Sequence, residues 1–178
     1  RGIVPSEIFA KAHPEALKAQ SVTARGEVLA KIGTRHLTDP YLLCAEQHCQ
    51  VYTGMSGEAA STDAAIAATA GEVLFSPKGR LVDSVYSAVC GGHTEDNEVV
   101  WGGVPDPTLR GRPDLAEGAE GFERIGAKNL RDFLQNRSDA YCALSSFANP
   151  KKFRWERRFT QAEVDQKNFF GLANEESA

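Results

Sequence analysis

The chain has 178 residues, of which 42% are hydrophobic and 25% are charged, and its formal net charge is −4. This length and composition predict one good-sized packed domain rather than a disordered segment. The negative charge, with no block of Lys and Arg among aromatic residues, argues against a nucleic-acid partner. No apolar run approaches the roughly 20 residues that cross a bilayer, so no membrane span is expected. The start at Arg1, without Met or a signal-peptide pattern, is typical of a mature or trimmed fragment.

The first chemically informative stretch is Ile3-Val4-Pro5-Ser6-Glu7-Ile8-Phe9, which places one carboxylate between two apolar pairs. Pro5 biases Val4 toward an extended conformation and Ser6 is a good N-cap residue, so we expect Glu7 in the first turn of a short helix. Burial among apolar neighbours would raise the pKa of Glu7 and suit it to a general-acid role. The alternative is an acid that only stabilises a helix start, where the macrodipole would lower its pKa.

The clearest helix is predicted over roughly 14–32, because Pro14 suits its first position and Gly33 supplies a stop. One stripe of this helix, at helical spacing, consists of Leu17, Ser21, Ala24, Val28 and Ile32. Residues 34–60 are polar and predict a long structured loop, a feature that is usually functional. A short Ala-rich helix is expected to follow over about 62–69.

A β-hairpin is predicted after this helix. Residues 72–75 and 80–90 have the composition of two strands, and the Ser-Pro-Lys-Gly run at 76–79 supplies the turn. A segment rich in Gly and Pro follows, and the apolar spacing around Phe133 predicts a helix near 128–136.

The end of the chain is expected to contain one more strand and one more helix. Residues 153–159 alternate large and charged side chains, as a half-exposed strand does. Thr160-x-x-Glu163 is a capping box that opens the last helix. Helices and strands mix without a regular βαβ alternation, so we predict an α+β fold with antiparallel strands around one cleft.

The four cysteines, at positions 44, 49, 90 and 142, leave several alternatives open. Cys90-x-x-His93 has the spacing of half a zinc site. The segment from Cys44 to Cys49 could supply the missing ligands, or the cysteines could form disulfides or stay as free thiols. If oxidised, the four allow three pairings. A nucleophilic Cys90 with His93 as its base is a further alternative.

Two motifs near the start are much more specific together than apart: Val4-Pro5-Ser6-Glu7, and the run from Glu15 to Gln20. With the stretches at 50–54, 63–74 and 87–101, they resemble the sporulation stage II protein D family, which shares the SpoIID/LytB domain. The resemblance is collinear and covers roughly residues 1–105, which we expect to form the catalytic core. Residues 106–178 match less sharply and would continue the same domain, with its usual end cut off after Ala178.

The resemblance implies lytic transglycosylase activity on bacterial peptidoglycan. Glu7 matches the family's catalytic glutamate and would protonate the bond between N-acetylmuramic acid and N-acetylglucosamine. The same carboxyl group would then take a proton from the muramic C6 hydroxyl, closing a 1,6-anhydro ring, so no second carboxylate and no cofactor are needed for the chemistry. The alternative is a non-catalytic module that binds glycan and enhances a cell-wall amidase.

The family also implies roles for other residues. Arg25, Gln50, Tyr52 and Ser87 match motif positions and are expected to line the sugar groove, although Arg25 would equally suit a solvated helix surface. Some members bind zinc near the cleft, which implies an optional zinc ion on Cys90 and His93, with Cys44 and Cys49 as further ligands. The expected partners are peptidoglycan glycan strands and a cell-wall amidase, and the expected location is the bacterial cell envelope, periplasmic or extracellular.

Overall fold

The structure is a computed structural model that describes residues 1–135, 139–147 and 149–167. Eight α-helices and one 3₁₀ turn lie in these ranges. The helices are α1 Val4–Glu7, α2 Pro14–Lys31, α3 Ala60–Ala68, α4 Asn97–Trp101, α5 Leu130–Gln135, α6 Tyr141–Leu144, α7 Pro150–Phe153 and α8 Gln161–Lys167, and the 3₁₀ turn is Met55–Gly57. The predictions of a helix at 14–32, a helix at 62–69 and a helix near 128–136 are confirmed, although residue 136 itself lies outside the described ranges.

The core is formed where α2 packs against α3. Leu17 and Ala24 of α2 are buried, and Thr62 of α3 is completely buried with its hydroxyl bonded to Ala59 O at 2.8 Å. The predicted stripe of α2 is buried from Leu17 through Ala24. At its end Ile32 is 41% exposed, because the helix stops at Lys31 and Ile32 adopts an extended conformation.

Gly26 lets the segment after the predicted turn cross close to α2. A Cβ at Gly26 would lie 2.2 Å from Ser84 Oγ, so no larger side chain fits there without a shift. Ser84 is buried, and its hydroxyl donates to Thr23 O at 3.3 Å. This contact holds residues 82–84 against the helix.

The predicted α+β class is wrong, because no β-sheet forms in the part of the chain that the structure describes. The hairpin is reduced to one bridge between Phe75 and Leu81 and to a hydrogen bond from Val82 N to Leu74 O at 2.9 Å. Beyond this point the backbone bends, with Val85 N bonded to Asp83 O, and the segment packs on α2. A two-stranded hairpin without a third strand is marginal, so packing on the helix prevails over β-propensity.

Residues 91–142 contain two more isolated bridges, which join three segments side by side. His93 pairs with Pro113 in one bridge, and Leu115 pairs with Ala140 in the other. The middle segment is also bonded on both sides through Asp114, whose N donates to Gly92 O at 3.1 Å and whose O accepts from Tyr141 N at 3.2 Å.

The strand predicted at 153–159 is also wrong. Phe153 is buried at the end of α7, and the guanidinium of Arg154 stacks on the rings of Phe133 and Phe153. Arg154 also donates to the carbonyls of Gly91 and Phe133, so this segment is fixed by side-chain contacts rather than by a ladder. The capping box is confirmed: Thr160 N donates to Glu163 Oε2 at 2.9 Å at the start of α8. Among the described helices, none is long and apolar enough to cross a bilayer.

Candidate active site

A groove of about 630 Å³ runs alongside α1. One wall is formed by residues 5–9, the second by α6 and the segment after it, and Ala88 and Val89 also line it. The second wall lies beyond residue 105, so the groove needs both parts of the chain. Its volume is within the range of roughly 300–1,000 Å³ that is typical of ligand sites.

Glu7 is the last residue of α1 and lines this groove. The prediction that Ser6 caps the helix is wrong, because Ser6 lies inside the helix and its hydroxyl donates to Gly2 O at 2.8 Å. The same hydroxyl lies 3.1 Å from Thr53 Oγ1, which ties α1 to the loop. Because α1 has a single turn, Glu7 lies in its first turn, as predicted, and is also its last residue. So short a helix has only a small dipole with which to lower the pKa of Glu7.

The carboxyl group of Glu7 is held by one buried side chain. Gln50 is 8% exposed, and its Nε2 donates to Glu7 Oε1 at 2.8 Å. Partial burial raises the pKa of Glu7 above its usual value, and the nearby carboxylate of Glu27 raises it further. The Gln50 hydrogen bond and the Lys31 ammonium act in the opposite direction. Glu7 itself remains accessible from the groove, as a group that must reach a substrate requires.

Lys31 connects α2 to the backbone beside Gln50. Its side chain is only 9% exposed, and its ammonium lies 2.5 Å from Glu27 Oε1. The same ammonium donates to Cys49 O at 2.5 Å. Because Cys49 directly precedes Gln50, this buried ion pair fixes the peptide that carries the amide to Glu7. Sequence reasoning missed Lys31; a lysine on the buried side of an amphipathic helix was the available signal.

Tyr86 lies near the same network. Burial first, and then the carboxylates of Glu27 and Glu7, raise the pKa of Tyr86, so its hydroxyl stays protonated. Tyr86 Oη and Gln50 Oε1 are both buried.

The other residues expected to line the sugar groove lie elsewhere. Arg25 donates through Nη1 to Glu72 O at 2.5 Å and ties α2 to the segment after α3. Tyr52 packs its ring against Gly2, where a Cβ would come within 2.5 Å of the ring. Ser87 lines a second cavity of about 440 Å³ together with Cys90 and His93. Of the predicted groove residues, the structure brings only Gln50 into contact with Glu7.

A cluster of four metal-ligating side chains forms in the loop after α2: His36, Cys44, His48 and Cys49. His36 Nε2 lies 3.2 Å from Cys49 Sγ and 3.2 Å from His48 Nδ1, and His48 Nδ1 lies 3.8 Å from Cys44 Sγ. The ligand atoms all lie within 4.8 Å of one another. A tetrahedral zinc ion with nitrogen and sulfur ligands separates its ligand atoms by about 3.3–3.8 Å. This donor set therefore fits zinc.

The surroundings of this Cys₂His₂ cluster also suit a metal. Asp39 Oδ2 lies 2.8 Å from His36 Nδ1, which leaves Nε2 of that ring to face the other three groups. Hydrogen bonding, chiefly from the Glu46 backbone, lowers the pKa of the Cys44 thiol to about 6, and the thiolate is the form that binds metal. His36 adopts a φ of 54°, an uncommon conformation for a residue other than glycine.

The predicted zinc pair Cys90 and His93 is not part of this cluster. Cys90 lies beside Asp114 and Cys142, whereas His93 points its Nδ1 at Thr94 O at 2.6 Å. The structure therefore separates Cys44 and Cys49 from Cys90. Sequence reasoning missed His36 as a ligand and did not single out His48, although the segment from Cys44 to Cys49 that contains His48 was expected to supply ligands; the signal for His48 was its place between two cysteines.

Two exposed aromatic rings stand at the rim of the groove. Phe9 and Phe147 are 67% and 51% exposed, and their ring centroids lie 6.3 Å apart in a stacked arrangement. Exposed rings that line a groove offer apolar faces to a ligand.

Comparison with known proteins finds a family match over the first part of the chain. Residues 1–75 match the model of the SpoIID family, described as Stage II sporulation protein. The chain is 39% identical over 101 residues to a Bacillus subtilis (strain 168) protein named "Amidase enhancer", covering 57% of this chain and 13% of that protein. It is 34% identical over 111 residues to an uncharacterized protein of Brachyspira hyodysenteriae, covering 62% of this chain and 30% of that one. No solved structure matches.

The chain therefore contains a SpoIID-like domain, and the resemblance noted in the sequence is confirmed. It spans less than a third of the length of either curated relative.

Proposed function

We propose that this chain is a peptidoglycan lytic transglycosylase in which Glu7 serves first as the general acid and then as the general base. The position of Glu7 carries the proposal: it lines the groove, is oriented by Gln50, and has a pKa raised by burial. A carboxyl group with a raised pKa keeps its proton available closer to neutral pH. The SpoIID-like domain and the relative named "Amidase enhancer" support a role on the cell wall.

The proposed reaction uses one carboxyl group twice. Glu7 protonates the oxygen between N-acetylmuramic acid and N-acetylglucosamine, and positive charge develops on the muramic ring. The carboxylate left behind takes a proton from the muramic C6 hydroxyl, whose oxygen closes the 1,6-anhydro ring. Because this nucleophile belongs to the substrate, its effective concentration is high, and the second carboxylate of ordinary glycosidases is not required.

Gln50 has a defined part in this cycle. Its amide N–H binds Glu7 Oε1 and leaves the other oxygen for the substrate. A hydrogen bond to a carboxylate is stronger than one to a neutral carboxyl group, so Gln50 favours the ionised state that follows proton donation. The buried Glu27 carboxylate acts against that state. Glu27 raises the pKa of Glu7 and Gln50 lowers it, so the two neighbours together suit this carboxyl group both to donate a proton and to accept one.

The Cys₂His₂ cluster would support the site rather than take part in the reaction. Zinc held by His36, Cys44, His48 and Cys49 would be a structural ion, since all four positions of a tetrahedron are then filled by protein ligands. Cys49 precedes Gln50 directly, so a rigid cluster would also restrict the position of the side-chain amide that orients Glu7. The proposed location is the bacterial cell envelope.

The second candidate function is a glycan-binding module that enhances a cell-wall amidase. The name of the Bacillus subtilis relative favours it. The same groove would then bind a glycan strand without cleaving it, and the exposed rings of Phe9 and Phe147 would serve binding alone.

Incubation of the chain with glycan strands, followed by mass spectrometry of the products, tests the proposal. Wild type is expected to release fragments ending in 1,6-anhydro-muramic acid, and Glu7→Gln is expected to release none, because an amide of the same shape cannot donate and then accept the proton. Glu15→Gln is the matched control: its carboxyl is exposed and paired with Lys18, so full activity is expected. Activity retained by Glu7→Gln would refute the assignment of Glu7.

A binding assay separates the two functions. If wild type yields no 1,6-anhydro product but sediments with glycan strands and raises the rate of an added amidase, the second candidate stands. Glu7→Gln should then still enhance the amidase, because the groove keeps its shape.

A further inference from the structure

Cys90 and Cys142 lie side by side although they are 52 residues apart in the chain. Their Sγ atoms are 3.4 Å apart, and both cysteines are thiols in this structure. Cys90 Sγ donates to Asp114 Oδ2 at 3.2 Å. The Cys₂His₂ cluster does not include these groups, and the reaction proposed for Glu7 does not use them, although Cys142 lines the same groove.

The backbone holds the two cysteines in register. Cys90 precedes the segment that bridges to Pro113, and Cys142 follows Ala140, which bridges to Leu115. Asp114 lies between these bridges, bonded through its backbone to Gly92 on one side and to Tyr141 on the other. The two segments that carry the cysteines therefore lie on either side of a middle segment, which is bonded to both of them.

We propose that Cys90 and Cys142 form a disulfide that staples the second wall of the groove to the body of the protein. A disulfide requires the sulfurs to approach to roughly 2.05 Å, about 1.4 Å closer than the two thiols lie, which rotations of two side chains can supply. Cys142 lines the groove beside Tyr141 and Ser145, so the bond fixes the start of this wall. The inference does not depend on the reaction proposed for Glu7.

Thiol–disulfide exchange with a small external disulfide such as oxidised glutathione makes the bond. Cys142 is reached from the open groove, and its thiolate attacks the external disulfide, which forms a mixed disulfide and releases one thiol. The Cys90 sulfur then attacks the Cys142 sulfur and releases the second thiol. The two protein thiols lose two electrons, the external disulfide gains them, and the two protons pass to the released thiols.

Asp114 contacts the thiol that attacks in the second step. Burial, and then the hydrogen bond to Asp114, raise the pKa of the Cys90 thiol to about 12, so this thiol holds its proton until it attacks. The Cys90 thiol is already bonded to Asp114 Oδ2, which can accept the proton and pass it to the leaving thiolate.

A second metal site is the competing occupant, because Cys90, Asp114 and Cys142 group three ligand atoms within 4.8 Å. Among the described residues this group offers three donors, whereas the other cluster offers four and is the complete structural site. The pair is therefore assigned to a disulfide and the metal becomes an outcome of the test.

Peptide mapping tests the bond. The zinc-saturated chain is equilibrated in a glutathione redox buffer, its remaining thiols are alkylated, and the digest is analysed by mass spectrometry. We expect a linked peptide pair carrying Cys90 and Cys142 and two fewer alkylated thiols than in the reduced chain. Alkylation of both cysteines, their linkage to other cysteines, or their protection by zinc that a chelator releases would each overturn the proposal.

Thermal unfolding gives a second readout. Reduction of the wild type should lower Tm by about 10 °C, since the bond closes a long loop in a chain of this size. Cys142→Ser should show no such dependence on reductant, whereas Cys44→Ser should keep it. A wild-type Tm that does not change on reduction would contradict the staple even if Cys142→Ser failed to fold.

Discussion

Replacing Lys31 by methionine tests the connection between the main helix and the amide that orients Glu7. The ammonium and the Glu27 carboxylate are only 9% and 15% exposed, and the same ammonium binds Cys49 O. Methionine has a similar length but leaves a buried carboxylate and a buried carbonyl without their partner. Breaking a buried ion pair in this way costs about 3–5 kcal/mol. That is a large part of a total stability of roughly 5–15 kcal/mol.

Urea unfolding of matched variants measures this cost. Lys18→Met is the control, because Lys18 pairs with Glu15 on the same helix but their side chains are 39% and 69% exposed. We expect this exposed pair to contribute about 0.5 kcal/mol or less. Adding Glu27→Leu to Lys31→Met should recover much of the loss, since no charge then remains buried. A Lys31→Met variant no less stable than Lys18→Met would refute the reasoning.

Three further predictions concern the core, the metal cluster and the acid. Gly26→Ala should cost about 1–3 kcal/mol in urea unfolding because its Cβ would meet Ser84 Oγ, while Gly126→Ala, with open space around it, should stay within about 0.5 kcal/mol of wild type. Chelation should lower Tm and added zinc should restore it; Cys44→Ser should abolish this response, and an unchanged wild-type Tm would contradict the metal site. Because the pKa of Glu7 is raised, its contribution to stability is fully present below its unfolded pKa and is lost as pH rises through the folded pKa. Glycan cleavage should fall over the same window, and Glu7→Gln should lose less stability than wild type as pH rises through and above the usual range of a glutamate carboxyl group.

The helices were predictable because their signals are local. Pro14 at the first position of α2 and the spacing of Leu17 and Ala24 specify that helix without reference to the rest of the chain. Thr160 and Glu163 likewise specify their own capping box. Such elements form for reasons that lie within a few residues of sequence.

The strand predictions failed because contacts with residues distant in the sequence decide whether these segments pair as strands. Residues 80–90 have the composition of a strand, but Ser84 bonds to α2 and sits over Gly26. Residues 153–159 alternate as a strand does, yet Arg154 stacks on Phe133 and bonds to Gly91. A β-pattern states only that a segment suits a half-buried surface, and here that surface is a helix or an aromatic ring rather than another strand.

The candidate site was likewise predictable in part: single residues could be recognised in the sequence, but the contacts between them could not. Glu7 could be singled out from its own apolar neighbours, and Gln50 from its motif, but no spacing rule joins them across the sequence. Seven residues separate His36 from Cys44, so a metal pattern confined to neighbouring residues does not find it. The contact of Lys31 with Cys49 O depends on how the loop folds back over α2. Chemistry that rests on residue type was visible in the sequence, whereas the geometry that joins the types was not.

The connections around Gln50 explain how a chain without a described β-sheet can hold the carboxyl group of Glu7 in place. Gln50 Nε2 binds Glu7, and the preceding residue Cys49 contributes its carbonyl to Lys31 and its thiol to the Cys₂His₂ cluster. A helix and a metal-ligating loop therefore fix one peptide from two sides. Since a displacement of about 1 Å in a catalytic group can lower the rate on the order of 100-fold, loss of either support should reduce catalysis even where the groove keeps its shape. Lys31→Met and Cys44→Ser should accordingly lower kcat for glycan cleavage more than they weaken glycan binding, and equal losses in both would show that they act on the groove as a whole.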